Sequence, residues 1–217
     1  MKTKPLLLFM VIVISLLPAC HKERPPVTIA AYKAYVEHPG NGLIQSQRYG
    51  ELKYHLRYLP IAYQALKGFD PDKDAPFVFN KNIDELKGHH YFLLQLQSAE
   101  RGGSLQKIYE AGMHKMNWLQ VVHEMDFSFK EKFQLHLDDA TLPCRLYHAF
   151  KGVNTSGEQY FLLIFKDAAM DTSVLFESDL KLEFDDQYFA GRPMVFHFKK
   201  ELLNQVPKLK SFEIYEN

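Results

Sequence analysis

From Leu52 to Leu59 apolar residues fall at every second position: Leu52, Tyr54, Leu56 and Tyr58 alternate with Lys53, His55 and Arg57. Period two sends successive side chains to opposite faces of a strand, so this stretch predicts a strand with one buried and one wet face. Gly50-Glu51 separates it from the run Leu43 to Tyr49, which predicts a hairpin. His90 to Ser98 carries Phe92, Leu94 and Leu96 on one side and Tyr91 and Leu93 on the other, as a strand buried on both faces would. Gln134–Leu137 and Leu142–Phe150 flank Asp138-Asp-Ala-Thr141, a second hairpin. Tyr160–Phe165, the alternating Leu180, Leu182 and Phe184, and Met194–Phe198 add three more strands, with Phe212, Ile214 and Tyr215 suggesting a terminal one.

Helical signals are short. Pro60 opens Ile61 to Lys67 and Gly68 closes it. Asn80 or Asn82 caps a turn running to Leu86, before Gly88. Glu201 to Asn204 makes one more turn. Ile29–Val36 and Leu105–Gly112 fit either helix or strand, and Asn117–Phe129 ends in the alternating Met125-Asp-Phe-Ser-Phe129. Short strands separated by turns predict an α+β, mainly β fold: an antiparallel sheet or β-sandwich with a few short helices. No linker divides residues 27–217, which read as a single globular β-rich domain.

The N-terminus follows a different pattern. Lys2 and Lys4 precede an apolar run, Leu6 to Leu17, interrupted only by Ser15. As a helix it would rise about 18 Å, short of a hydrocarbon core of about 30 Å. A basic start, a short apolar core and a small residue at Ala19 describe an export signal. Leu17-Pro18-Ala19-Cys20 resembles the lipobox of bacterial lipoproteins, with Pro18 where Ala, Ser, Thr or Val is usual. The resemblance implies a signal peptide over residues 1–19, lipid attachment at Cys20, and a polar tether over residues 20–26. It also implies a membrane partner through that lipid and a cell-envelope location. His21, rather than Asp, after the Cys favours the outer membrane. Acyl chains anchor by burying CH₂ groups at about 0.8 kcal/mol each. Asn41-Gly-Leu43, Tyr58-Leu-Pro60, Leu142-Pro-Cys-Arg-Leu-Tyr-His148, Phe184-Asp-Asp-Gln-Tyr-Phe-Ala-Gly191 and Val206-Pro-Lys-Leu209 are similar to small lipoproteins of Bacteroidota, which implies a shared fold and no chemistry.

Composition narrows the function classes. With 26 basic and 26 acidic residues the chain has no excess positive charge with which to bind nucleic acid. With Cys20 lipidated, Cys144 has no intrachain partner, and it reads as a small buried hydrophobe. Asp70, Asp72 and Asp74 alternate as in a calcium loop, but Ala75 and Lys81 stand where Gly and Glu are needed. Adjacent His89 and His90 point to opposite faces of a strand. Cys144 and His148 lie about 13 Å apart along one. His114 and His123 lack a spaced companion, while His136, His148 and His197 are left as residues that neighbouring strands could bring together.

Asp138-Asp139 and Asp185-Asp186 are expected at turns without any catalytic role. No Gly-x-Ser-x-Gly motif and no phosphate loop occurs, and no cofactor is implied. Tyr54, Tyr58 and Tyr63 with Trp118 are the candidate ligand-stacking surface, although tyrosines at period two also fill sheet cores. The leading expectation is a non-catalytic, lipid-anchored envelope protein that binds or assembles with an envelope protein or a glycan. A carbohydrate- or peptide-binding module and a metal-assisted hydrolase are the alternatives.

Overall fold

The computed structural model describes residues 25–112, 116–138, 140–150, 157–168 and 175–210. The strands are β1 (Ile44–Tyr49), β2 (Leu52–Leu59), β3 (His89–Ser98), β4 (Phe133–His136), β5 (Thr141–Phe150), β6 (Glu158–Lys166), β7 (Leu180–Asp186) and β8 (Arg192–Phe198). They form one antiparallel sheet in the order β1-β2-β3-β6-β5-β4-β7-β8. It is a single, nearly barrel-shaped sheet rather than two sheets packed as a sandwich. The helices are α1 (Ile29–Glu37), α2 (Ile61–Ala65), α3 (Pro76–Leu86), α4 (Leu105–Ala111), α5 (Trp118–Phe127) and α6 (Lys200–Leu203). Among the described residues no helix is long and apolar enough to cross a membrane.

The period-two strands bury the faces their pattern assigns. Leu52, Tyr54, Leu56 and Tyr58 point inward, joined by Phe92, Leu94 and Leu96, by Phe161, Leu163 and Phe165, and by Leu180, Leu182 and Phe184. Phe129, in the short 3-10 turn after α5, is fully buried, with the rings of Phe133, Tyr147, Phe161, Phe184 and Tyr188 around it at centroid distances of 4.7 to 6.4 Å. Its position depends on α5, a helix that the alternation of Met125–Phe129 obscures. The start signal was present: Asn117 accepts from the Gln120 N–H at 3.0 Å, and the Gln120 side chain accepts from the Asn117 N–H at 2.9 Å. This reciprocal capping satisfies two N–H groups that the first helical turn leaves without partners. Val121 and Met125, four apart, then bury one helix face.

The two edges of the sheet approach each other without pairing their backbones. β1 turns Gln45, Gln47 and Tyr49 toward the side that Leu56, Tyr54 and Leu52 occupy on β2. The Gln47 amide donates to the Val195 carbonyl on β8, and the Arg192 guanidinium lies 5.4 Å from the Tyr49 ring centroid. Polar side chains thus span a seam that apolar residues would leave with bare edge carbonyls. At one end α6 packs against Gly42, where φ is +74° and a Cβ would lie 2.3 Å from Leu202 Cδ1. Val27 pairs in parallel with Leu209, donating to the Lys208 carbonyl at 3.0 Å and accepting from the Lys210 N–H at 2.9 Å.

Asp186 ties the interior together. Its side chain is wholly removed from solvent at the end of β7. It accepts the Tyr54 hydroxyl from β2 and the N–H groups of Tyr188, Phe189 and Ala190 at 3.0 to 3.1 Å. Burial, and then the charge of Asp186, push the Tyr54 hydroxyl pKa far up, so that it remains a donor. Four donors compensate the loss of water around the carboxylate. Asp186→Ala should therefore lower stability by about 3 kcal/mol or more, because several buried donors lose their acceptor together. In urea unfolding, adding Tyr54→Phe to that variant should cost nothing further, whereas Tyr54→Phe alone should destabilise.

Candidate recognition face on the outer sheet surface

The outer face of β1, β2, β3, β6 and β5 carries polar side chains in register. One row crosses all five strands as Ser46, His55, Gln95, Tyr160 and Phe150. On one side lies the row Arg48, Lys53, Gln97 and Glu158, and on the other Ile44, Arg57, Leu93, Leu162 and His148. Beyond these, Leu59, Tyr91 and Ile164 are covered by Ile61, Tyr63, Ile83 and Leu86 of α2, α3 and their flanks. The covering helices stop short of the polar rows, whose strand residues are half-buried or exposed.

Hydrogen bonds fix the rows. Gln95 Nε2 donates to the Tyr160 hydroxyl at 2.9 Å, that hydroxyl donates to Glu158 Oε2 at 2.7 Å, and Gln97 Nε2 donates to Glu158 Oε1 at 2.7 Å. Ser46 Oγ and His55 Nδ1 are 2.7 Å apart. Desolvation, and then the nearby Lys53, hold the His55 pKa below the usual histidine range, so the ring is neutral at pH 7. Burial and hydrogen bonding to Glu158 push the Tyr160 pKa up to about 12, so its hydroxyl stays protonated. A hydroxyl beside an imidazole resembles a nucleophile and its base. Here the pair bridges two neighbouring strands, Ser46 on the edge strand β1 and His55 on β2. The arrangement suits recognition: donors and acceptors held in fixed places on a stiff surface.

The β5 border of this face depends on a bulge. Cys144 pairs with Phe165 and Leu146 with Ile164, so Arg145 is an extra residue. The alternation reverses there: Leu142 and Cys144 face in before it, Tyr147 and Ala149 after it. Leu146 is therefore 53% exposed and Phe150 40% exposed beside His148, while the Tyr147 hydroxyl reaches inward to the Met125 carbonyl at 2.7 Å. Cys144 is buried, with its thiol pKa pushed up to about 11 by desolvation, as a structural cysteine would be.

One sequence expectation needs correction. Tyr54 and Tyr58 are core residues with 0% and 2% exposure, so they cannot form a stacking surface. Trp118 stands apart from them on α5, 5.8 Å from the Tyr109 ring, beside a cleft of about 50 Å³ lined by Ser104, Gln106 and Glu158. That volume admits a water or two and no sugar. The three histidines do not converge either. His136 and His197 both pair with Lys181 from opposite sides, and His148 pairs with Leu162 on the other half of the sheet. Among the described residues no three His, Cys, Asp or Glu side chains gather as metal ligands. Cys20, His114, Asp139 and Phe212–Tyr215 lie outside the described residues.

The sequence did not single out His90 for any function. It is inward-facing and 2% exposed, its Nε2 is 3.2 Å from Asp167 Oδ2, and its Nδ1 has no hydrogen-bond partner among the described residues. Tyr58 and Phe176 pack around it, and Asn204 holds Phe176 through bonds to its N–H and its carbonyl at 2.7 and 3.0 Å.

No family model matches the chain, and no curated protein matches it. Two solved structures are similar in part. One is a novel protein of unknown function from Burkholderia pseudomallei, with 15% identity and a TM-score of 0.37 over 83% of this chain and 94% of that one. The other is a DUF4426 family protein from Pseudomonas aeruginosa, with 10% identity and a TM-score of 0.31 over 72% and 91%. Likenesses of this size carry no inference about the activity of this chain.

Burial lowers the His90 pKa more than Asp167 raises it. Below about pH 6.5 the unfolded chain takes up a proton that the folded chain refuses, so stability falls as pH drops from that value toward the lowered folded pKa. The urea midpoint should decline between about pH 7 and 5, and His90→Gln should flatten that decline. An equal slope in the variant would remove His90 as its source.

Proposed function

We propose that this chain is a lipid-anchored protein of the cell envelope that acts by binding, engaging another envelope component with the outer face of β1, β2, β3, β6 and β5. The supporting observation is the set of polar rows centred on Ser46, His55, Gln95 and Tyr160, left open where α2 and α3 cover the adjoining part of the sheet. Rigid presentation limits the side-chain entropy lost on docking, which favours a strand-borne platform over a loop. Anchorage at Cys20 would confine partner and platform to one bilayer surface, raising their effective concentration. The tether over residues 20–26 leads into Val27, which is pinned to Lys208 and Lys210, so the anchor would act on one fixed point of the body.

Two measurements test the reading. Cys20→Ser should move the protein from the membrane fraction to the soluble fraction and abolish metabolic labelling with palmitate; retention and labelling in the variant would remove the lipid anchor. A photo-crosslinking residue at Gln95 should give an adduct in intact cells that the same residue at His197, on the other half of the sheet, does not. Equal adducts, or none at Gln95, would count against the platform.

A further inference from the structure

Just before β7 the chain lays a ring over a buried histidine. Residues 175–179 form no helix or strand and are tied to α6 and its flanks through Phe176, Glu177 and Asp179. Asn204 accepts the Phe176 N–H at 2.7 Å and donates to the Phe176 carbonyl at 3.0 Å. Lys200 Nζ donates to the Glu177 carbonyl at 2.9 Å. Asp179 accepts from Lys199 Nζ at 2.8 Å and from the Lys200 N–H at 2.9 Å. Leu175 and Glu177 stay exposed, while the Phe176 ring turns in, its centroid 5.9 Å from that of Tyr58 and 6.2 Å from that of His90.

His90 has room for one proton and not for two. The Asp167 carboxylate, 3.2 Å from Nε2, accepts, so Nε2 carries the proton of the neutral ring and Nδ1 is left as a bare acceptor. A second proton has to enter at Nδ1, which has no hydrogen-bond partner among the described residues. A charged ring with one N–H unanswered is costly to bury at 2% exposure. Asp167 offsets part of that cost, and burial outweighs it. The other titratable groups around the ring hold their charge in mild acid. Tyr58 of β2, and Tyr32 of α1 beside it, are pushed far up by burial and stay protonated. Asp179 is held below the usual carboxylate range by Lys199 and the Lys200 N–H, so its ties persist. His89 turns to the opposite face of β3, its Nδ1 2.8 Å from the Lys87 carbonyl.

We propose that residues 175–179 are an acid-released strap: protonation of His90 at Nδ1 expels the Phe176 ring and gives that nitrogen access to water, while the sheet stays folded. Release breaks the two bonds to Asn204 and leaves the Asp179 ties as the hinge. It uncovers Tyr58 and the adjoining Phe198, an aromatic surface that is closed at neutral pH. Leu209, shortly after Asn204, pairs with Val27, so the strap opens on the end of the body where the tether enters. The open form takes up one proton that the closed form refuses. Its population relative to the closed form therefore rises by up to about tenfold per pH unit below about pH 6.5.

Hydrogen exchange of the Phe176 amide reads the strap directly, because that N–H is the one Asn204 accepts. The full chain in detergent micelles is exchanged from about pH 7.5 to 5, with mass-spectrometric readout and correction for the intrinsic pH dependence of exchange. Protection at Phe176 should fall by up to about tenfold per pH unit below about pH 6.5. It should not respond to dilute urea, whereas protection at Leu182 and Phe184 should, because a local opening exposes little surface. His90→Gln should abolish the pH dependence at Phe176, and His89→Gln should keep it. If His90→Gln does not fold, Asp167→Asn serves instead: with the counter-charge gone, the decline should extend to lower pH. Protection that is flat with pH, a slope kept in His90→Gln or lost in His89→Gln, or an unmoved decline in Asp167→Asn would overturn the strap. So would a urea response at Phe176 equal to that at Leu182 and Phe184, since the ring would then leave only when the whole sheet unfolds.

Discussion

A carboxylate stripped of water holds the two halves of this sheet together. Asp186 ends β7, the second strand from one edge, and its strongest side-chain partner is Tyr54 on β2, the second strand from the other. An isolated carboxylate would be intolerable there, and only the simultaneous supply of one hydroxyl and three backbone N–H groups makes it acceptable. The β7–β8 turn must therefore adopt the one course that aims the N–H groups of Tyr188, Phe189 and Ala190 at a single side chain. The turn, the strut across the interior and the curl of the sheet are one arrangement. The Phe129 ring cluster packs alongside it, Phe184 lying 6.4 Å from Tyr54 and 5.2 Å from Phe129.

Once the halves are tied from within, the edges are close enough for side chains to close the gap. Gln47, turned inward on β1 with Gln45 and Tyr49, reaches across to the Val195 carbonyl. A sheet closed this way needs no further strand on its interior, and its outer surface is free to differ from place to place. Helices α2 and α3 cover one apolar corner, while the neighbouring rows stay polar and fixed by their own hydrogen bonds.

The strands were legible because their two faces meet different solvents. Period two in Leu52–Leu59 and Leu180–Phe184 reports one dry side and one wet side, which the structure realises. Helix α5 was obscured because the alternation at Met125–Phe129 combines the end of a helix with a 3-10 turn that inserts Phe129 into the core; Asn117 and Gln120 held the better signal. The platform was half-legible. Lys53, His55 and Arg57 announced a wet face, but which residues of β3 and β6 lie beside them is a matter of register, set by pairings across 36 to 69 positions. The tyrosines misled as ligand residues for the same reason that they revealed the strand: their spacing is that of a buried face. His90 gave no sign, since its burial depends on Phe176 being held over it by Asn204, 28 residues away.

Arg145 is an inserted letter in its strand. Every side chain of β5 after it lies on the opposite face from the one its parity would assign, so Leu146, His148 and Phe150 border the outer polar face while Tyr147 is drawn inside. Removing that one residue would leave the two sets where they are, because Cys144 and Leu146 already face consecutive partners, Phe165 and Ile164, and would simply alternate. The bulge thus absorbs a letter instead of shifting the frame, and this strand can gain or lose a residue there while presenting the same side chains to each face.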